Sequence, residues 1–181
     1  LVGYGLNGRN VARVLREASI PYLVLELNPE NVREAREAGL PVLYGDVTRT
    51  EILERCGIRG ANMIVIAISD VAATRQAVRL TRQFSREVFV LVRTRNVSEV
   101  EPLQLLGADA VIPEEFETSI EIFYLILERY HVPRNVIAAQ VRIIRDRGYG
   151  VLRGAPVEGA AALDRLAQIL AGTLTETFLI R

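Results

Sequence analysis

Apolar and polar positions along the chain follow two periods, one typical of strands and one typical of helices. Short apolar runs at residues 22–25, 63–68 and 88–92 are typical of strands buried on both faces. Between such runs, apolar residues recur at helical spacing, as they do over residues 10–18. Strands and helices that alternate with short connections predict a parallel sheet with helices on both faces.

These patterns predict an α/β fold built on a doubly wound, parallel, Rossmann-like sheet. The six predicted strands cover residues 1–2, 22–25, 41–44, 63–68, 88–92 and 110–112. Asn28 and Pro29 indicate the start of one helix and Gly39 its end, while Ser98 and Glu101 form the capping box of another. Because only two residues precede the first glycine, we expect the sequence to be an excerpt of a larger polypeptide.

A glycine-rich loop follows the first predicted strand and opens a helix. The loop consists of Gly3, Tyr4, Gly5, Leu6, Asn7 and Gly8. In dinucleotide-binding folds the first glycine permits a tight turn, the second lets the backbone approach a pyrophosphate, and the third lets the helix pack closely on the sheet. We therefore expect the backbone amides of this loop to bind phosphate.

Glu26 ends the next predicted strand, at the position where dinucleotide-binding folds place a carboxylate. That carboxylate accepts hydrogen bonds from both ribose hydroxyls and repels a 2′-phosphate. The pairing of the glycine loop with Glu26 therefore predicts a site for NAD or an adenosine nucleotide rather than for NADP. A surface glutamate at a strand end is the structural alternative.

Further candidate residues follow from the rule that ligands lie beyond the carboxyl ends of parallel strands. Asp46 and Val47, after Gly45, fit beside an adenine, with Asp46 as an acceptor for the exocyclic amine. Ser69 lies where a ribose edge would pass, and Arg93 is a fixed cation for a phosphate or a neighbouring acidic group. At the same edge, Asp70 is interpreted as a helix cap.

The pattern changes after the sheet. Over residues 117–130 apolar side chains lie on nearly all sides of a predicted helix. The sheet of the domain can cover only one face of this helix, so another face should be buried against a second subunit or another module. We predict a nucleotide-binding domain at 1–116, a helical crossover and dimerisation segment at 117–150, and a helical linker toward a further domain at 151–181. A tail that folds back on its own domain is the alternative.

The charged residues restrict the function further. The chain has 22 cationic and 22 anionic side chains, every cation is arginine, and the zero net charge argues against binding to nucleic acid. Without lysine there is no Schiff-base, phosphate-loop or general-base lysine. Cys56 and His131 are the only cysteine and histidine, which excludes a disulfide within the chain and a histidine metal cluster. His131 follows the predicted domain in the apolar helix, so we expect a structural role for it and not proton transfer. We therefore expect a protein that binds a nucleotide and is not an enzyme.

Taken together, these residues resemble the regulator of potassium conductance domain, also called the potassium transport nucleotide-binding domain of TrkA-N type. The resemblance rests on residues 2–9, 26, 44–48, 68–70 and 92–93. A second group at 132–137, 145–149 and 152–154 resembles the segment after this domain in bacterial monovalent cation:proton antiporters related to the glutathione-gated potassium efflux systems.

The resemblance implies a module on the cytoplasmic side of the cell membrane. Such a module binds AMP, ATP, ADP or NAD(H) and gates an attached potassium or cation:proton antiporter or channel. It also implies a homodimer through the helices after the sheet and a membrane-embedded module in the same polypeptide. The second regulatory subdomain usual in this family is absent from the sequence or only begun at Phe178.

Two other functions are compatible with the same residues. A small NAD-dependent oxidoreductase would use the same glycine loop and Glu26, but the sequence lacks a residue positioned for hydride chemistry. An oligomerisation scaffold with a degenerate pocket would use the apolar helix at 120–127.

Overall fold

A computed structural model of the chain describes residues 1–146 and Tyr149, and the chain divides into two compact units. The first unit, Leu1–Glu114, contains the sheet. Its helices are α1 (Leu6–Glu17), α2 (Pro29–Glu37), α3 (Thr50–Arg55), α4 (Val71–Phe84) and α5 (Val100–Leu105). Its strands are β1 (Val24–Glu26), β2 (Val42–Tyr44), β3 (Met63–Ile66), β4 (Phe89–Thr94) and β5 (Ala110–Pro113).

All the strand pairs are parallel, as predicted. One group pairs β1 with β2, and the other has the order β3-β4-β5. Val2 lies between the two groups and forms isolated parallel bridges to Leu25 and Ile66, with its N–H donating to the Val65 carbonyl at 2.8 Å. The prediction of six strands is therefore not confirmed: the described residues form five, since the two residues before the loop supply only these bridges.

The core of the first unit lies between the sheet and its helices. The side chains of Ile66, Val90 and Val92 are fully buried, as the apolar runs predicted, and α4 covers them with Ala77 and Val78. Each such valine or isoleucine contributes about 1.5–3 kcal/mol by burial, so the central strands hold this unit together. The carboxyl ends of the strands are fixed by the same packing.

Helix boundaries agree with the sequence in one place and differ in another. The Asn28 side chain accepts from Glu30 N at 2.8 Å, so it caps α2 as predicted. The predicted capping box of Ser98 and Glu101 is wrong. Instead, the Asn96 side chain accepts from Ser98 N at 3.0 Å and begins a 3₁₀ turn, so α5 starts only at Val100.

The second unit begins at Glu115, inside helix α6 (Glu114–Arg129), and continues with α7 (Arg134–Asp146). Glu117 near the start of α6 accepts from Arg145 Nε at 3.0 Å and from Tyr149 Oη at 2.7 Å. These hydrogen bonds connect the start of α6 to the end of α7. The helical linker predicted at 151–181, with the subdomain start at Phe178, lies outside the described residues. Across the described part of the chain, every helix is too short or too polar to span a membrane.

Candidate functional site

The glycine loop between Val2 and α1 has the geometry that its three glycines predict. Gly3 has φ +95°, in the left-handed region, and a Cβ there would lie 2.9 Å from Ile68 Cγ2. A Cβ on Gly8 would lie 2.1 Å from the carbonyl oxygen of Gly3, so α1 packs directly on the loop. A Cβ on Gly5 would meet no atom within 4 Å. Gly3 and Gly8 are therefore required by packing, whereas Gly5 faces open space.

The amino terminus of α1 has the properties of an anion site. Gly5 is its N-cap residue, no side chain caps the helix, and its first turn carries no acidic residue. The first amide groups of a helix have no acceptor within the helix, and the helix dipole places positive charge beside them. A helix of 12 residues that starts on a glycine therefore offers the amides of Leu6, Asn7 and Gly8 to an anion.

Glu26 is buried, with 9% of its surface exposed, and it lies against the glycine loop. Its Oε2 accepts from Tyr4 N at 2.6 Å, and its Oε1 accepts from the amides of Leu27 and Asn28, both at 2.7 Å. Asn31 Nδ2 lies 3.4 Å from Oε2. The carboxylate is therefore held in one orientation next to the loop, and ribose hydroxyls would share its acceptor capacity with these donors.

Arg9 is a residue of the site that the sequence analysis missed. Its Nε donates to the Tyr4 carbonyl at 3.1 Å, and its guanidinium lies 5.4 Å from the centre of the Tyr4 ring. It also forms an ion pair with Glu34 and donates to Asn31 Oδ1 at 3.2 Å. Arg9 therefore links the glycine loop to α2. Its position directly after the last glycine of the loop is the feature of the sequence that could have identified Arg9 as a site residue.

A cavity of about 610 Å³ opens beside Glu26, within the range of small-molecule sites. It brings together six of the predicted residues: Gly3, Glu26, Gly45, Asp46, Val47 and Ser69. Its other lining residues come from the same loops, from Val2 and Leu25, and from the first turns of α4. Tyr4, Gly5, Leu6, Asn7 and Gly8 do not line the cavity but form the adjoining loop and the first turn of α1.

The segment after β2 closes one side of the cavity. Asp46 Oδ1 accepts from the Thr48 backbone N–H at 2.8 Å and from Thr48 Oγ1 at 2.7 Å. The hydrogen bonds from Thr48, the backbone one first, hold the pKa of Asp46 below its ordinary value. A Cβ on Gly45 would lie 2.8 Å from Ile52 Cγ2, which explains glycine at that position. Asp46 is therefore a fixed carboxylate on the cavity wall.

Arg93 lies in a separate, smaller cavity of about 150 Å³ that shares Ile68 and Ser69 with the larger one. Its Nη1 donates to Ser69 Oγ at 3.4 Å, and its Nη2 forms an ion pair with Glu114. Its buried Nε has no hydrogen-bond partner among the described residues, and burial lowers the pKa of the guanidinium. Arg93 therefore connects the edge of the larger cavity to the first residue of α6.

One further sequence prediction concerns this edge of the sheet. The Asp70 side chain accepts from Ala73 N at 2.7 Å and caps α4, so its interpretation as a cap is confirmed. Among residues 1–146 and 149, histidine, cysteine and acidic side chains form no group of three that could hold a metal ion.

The fold and this site define the chain as a Rossmann-like α/β domain with a glycine-rich loop at the carboxyl ends of its strands. The chain belongs to the TrkA-N domain family, whose pattern matches residues 1–114. The family expected from the sequence is therefore confirmed.

Several known proteins are similar to this chain. The putative K(+) efflux antiporter KefB of Alkalimonas amylolytica is 33% identical over 153 residues, which are 84% of this chain and 23% of that relative. The Shewanella denitrificans Kef CTD in its AMP-bound form aligns with TM-score 0.68 and 22% identity, over 89% of this chain and 96% of that one. The GsuK channel bound to NAD aligns with TM-score 0.58 and 21% identity, over 62% of this chain and 20% of that one. These structures show the fold, and the chain spans less than a quarter of the antiporter's length.

Proposed function

We propose that the domain binds an adenine nucleotide in the cavity beside Glu26 and thereby regulates an attached potassium or cation:proton antiporter or channel. One observation carries the proposal: the fixed Glu26 carboxylate and the Asp46 segment line one cavity of about 610 Å³, and the glycine loop with the uncapped amino terminus of α1 adjoins it. These are the three kinds of group that a phosphate, a ribose and a purine require.

Each part of the nucleotide has a proposed partner. The phosphate accepts from the amides of Leu6, Asn7 and Gly8, and the absence of a side chain on Gly5 leaves room for its approach. The ribose hydroxyls donate to Glu26. The purine lies beside Gly45, Asp46 and Val47, with Ser69 near the sugar. Arg93 contributes through Ser69 or by moving its guanidinium from Glu114 toward a phosphate.

The same contacts restrict the ligand to a class. The Glu26 carboxylate repels a 2′-phosphate, so NADP is disfavoured, while AMP, ADP, ATP and NAD(H) all present an unmodified adenosine. AMP in the Kef domain and NAD in the GsuK channel occupy relatives of this fold, which supports AMP or NAD(H) as the ligand here.

Regulation of transport is proposed from the relationship to the KefB antiporter. The membrane-embedded partner would then belong to the same polypeptide, with this domain on the cytoplasmic side of the membrane. A nucleotide can shift the transporter only if it binds one arrangement of the domains more tightly than the other. We expect this difference to arise where Arg93 joins the cavity edge to Glu114 at the start of α6.

A homodimer through α6 is part of the proposal. Ile122, Leu125, Ile126 and Tyr130 recur at helical spacing along α6 and its end, and each is at least half exposed. A second copy of the helix offers the same apolar stripe, and a two-fold interface is self-complementary in this way. Dimerisation would therefore cover these side chains.

Calorimetric titration of the 181-residue chain with AMP, ATP, NADH and NADPH tests the binding proposal. We expect saturable binding of adenine nucleotides and at least tenfold weaker binding of NADPH, because a 2′-phosphate meets the buried carboxylate. A folded chain that binds none of the four contradicts the proposal. Steady oxidation of NADH by the chain with an added electron acceptor would instead support the oxidoreductase alternative.

A further inference from the structure

We propose that Gln76 recognises the amino edge of adenine and sets the preference of the site for adenine over other purines. This inference rests on the proposed function, because it assigns a role within the same nucleotide site. Gln76 lies on α4 and lines the 610 Å³ cavity together with Asp46 and Val47. Gln76 is not among the residues predicted from the sequence.

The other polar side chains of the cavity wall are already engaged. Six residues with polar side chains line the cavity: Glu26, Asp46, Thr48, Ser69, Asp70 and Gln76. The first five make hydrogen bonds within the protein. Within the described part of the chain the half-buried Gln76 side chain makes none. Its amide is therefore the polar group of this wall whose donors and acceptor are all available to a ligand.

The topology places Gln76 across the cavity from the proposed adenine contacts. The sheet order β2-β1-Val2-β3 puts the carboxyl ends of β2 and β3 on either side of the glycine loop. Asp46 follows β2, whereas α4 follows β3. A ring that lies between these two elements has Asp46 near one part of its edge and Gln76 near another.

The surface of α4 around Gln76 fits a flat ring. Ala72 and Ala73 line the cavity with small side chains one turn before Gln76, so they leave space for a purine. Val47 and Ile68 supply apolar surface on the cavity wall. Beyond the alanines, Gln76 is the first polar side chain of the helix that lines this cavity.

A glutamine amide matches adenine because it accepts and donates side by side. Its oxygen accepts from the exocyclic amine while its nitrogen donates to an adjacent ring nitrogen, a pairing that glutamine makes with adenine in nucleic acids. Asp46 is a fixed carboxylate, which can only accept hydrogen bonds. It therefore accepts a hydrogen bond from the second N–H of the adenine amine and repels the oxo group of hypoxanthine. The two residues together favour the amino-purine.

The test compares AMP with purine riboside 5′-monophosphate, which lacks the amine, and with IMP. Gln76→Met keeps the length of the side chain and removes its donor and acceptor. We expect the preference for AMP over the purine analogue to fall about fivefold, the effect of one net hydrogen bond. Gln76→Glu keeps the acceptor for the amine, so its preference for AMP should stay close to that of the wild type.

Gln83→Met is the matched control, because Gln83 is an exposed glutamine of the same helix outside this cavity. It should leave all three affinities unchanged. Gln76→Ala repeats the comparison, so a methionine variant that misfolds does not decide the result. Methionine and alanine variants at Gln76 that keep the wild-type preference for AMP over the purine analogue overturn this inference alone. A wild-type chain that binds no nucleotide overturns the proposed function as well.

Discussion

Two alanine substitutions in the glycine loop should separate packing from ligand binding. In Gly8→Ala the new Cβ would lie 2.1 Å from the Gly3 carbonyl oxygen and 2.9 Å from its carbon. Both atoms belong to the backbone, so relief requires α1 to move away from the loop. Overpacking of this kind costs about 1–3 kcal/mol and more where backbone must shift, so we expect Gly8→Ala to lose at least about 3 kcal/mol of unfolding free energy.

Gly5→Ala is the matched substitution. Gly5 has a φ of −71°, an ordinary value for alanine, and a Cβ at this position would meet no atom within 4 Å. Alanine restricts the unfolded chain but is a poorer N-cap than glycine, so the free energy of unfolding should change by less than about 1 kcal/mol. The methyl group nevertheless stands where the phosphate should approach, and we expect AMP affinity to fall at least tenfold.

Urea denaturation and calorimetric titration with AMP measure the two effects on the same preparations. A Gly5→Ala chain with wild-type stability and wild-type affinity would refute phosphate binding at this loop. A Gly8→Ala chain as stable as the wild type would refute the packing of α1 on the Gly3 carbonyl.

Three other substitutions test separate parts of the structure. Glu26→Gln replaces a carboxylate that accepts from three backbone amides. It should lower the free energy of unfolding, measured by urea denaturation, by about 1.5–3 kcal/mol and weaken AMP binding about tenfold. Unchanged AMP binding would exclude Glu26 as the ribose partner. The lowered pKa of Asp46 stabilises the fold above the ordinary aspartate pKa of about 3.9, and this contribution disappears as the pH falls through the folded value. Between about pH 4 and pH 2 the free energy of unfolding of Asp46→Asn should therefore fall less than that of the wild type. The same pH dependence of unfolding in both proteins would contradict this. Ile126→Asp should give a monomer in analytical ultracentrifugation with unchanged AMP affinity, whereas a persistent dimer would place the interface elsewhere.

Local features of the sequence predicted much of the fold and part of the site. The backbone requirements at Gly3 and Gly8, the caps at Asn28 and Asp70, and the buried parallel strands depend on residues close together in the chain. Such features have fixed spacings, so they are visible without a structure. The cavity beside Glu26 was predictable because parallel strands end at one edge of a sheet.

Long-range contacts explain what the sequence did not predict. Arg9 reaches Glu34 on another helix, and Gln76 joins the cavity through the topology of the sheet. Arg93 was expected near a phosphate or an acidic group, and the structure pairs it with Glu114. The predicted capping box of Ser98 and Glu101 does not form, because Asn96 caps a 3₁₀ turn that precedes α5. The spacing of Ser98 and Glu101 in the sequence does not reveal this turn.

A crystal structure of the chain grown with AMP tests most directly whether an adenine nucleotide binds at the glycine loop. The predicted result is a phosphate about 2.7–3.2 Å from the amides of Leu6, Asn7 or Gly8, with the ribose hydroxyls on Glu26. AMP bound elsewhere on the domain, or side chains that fill the crevice between the loop and Glu26, would contradict it.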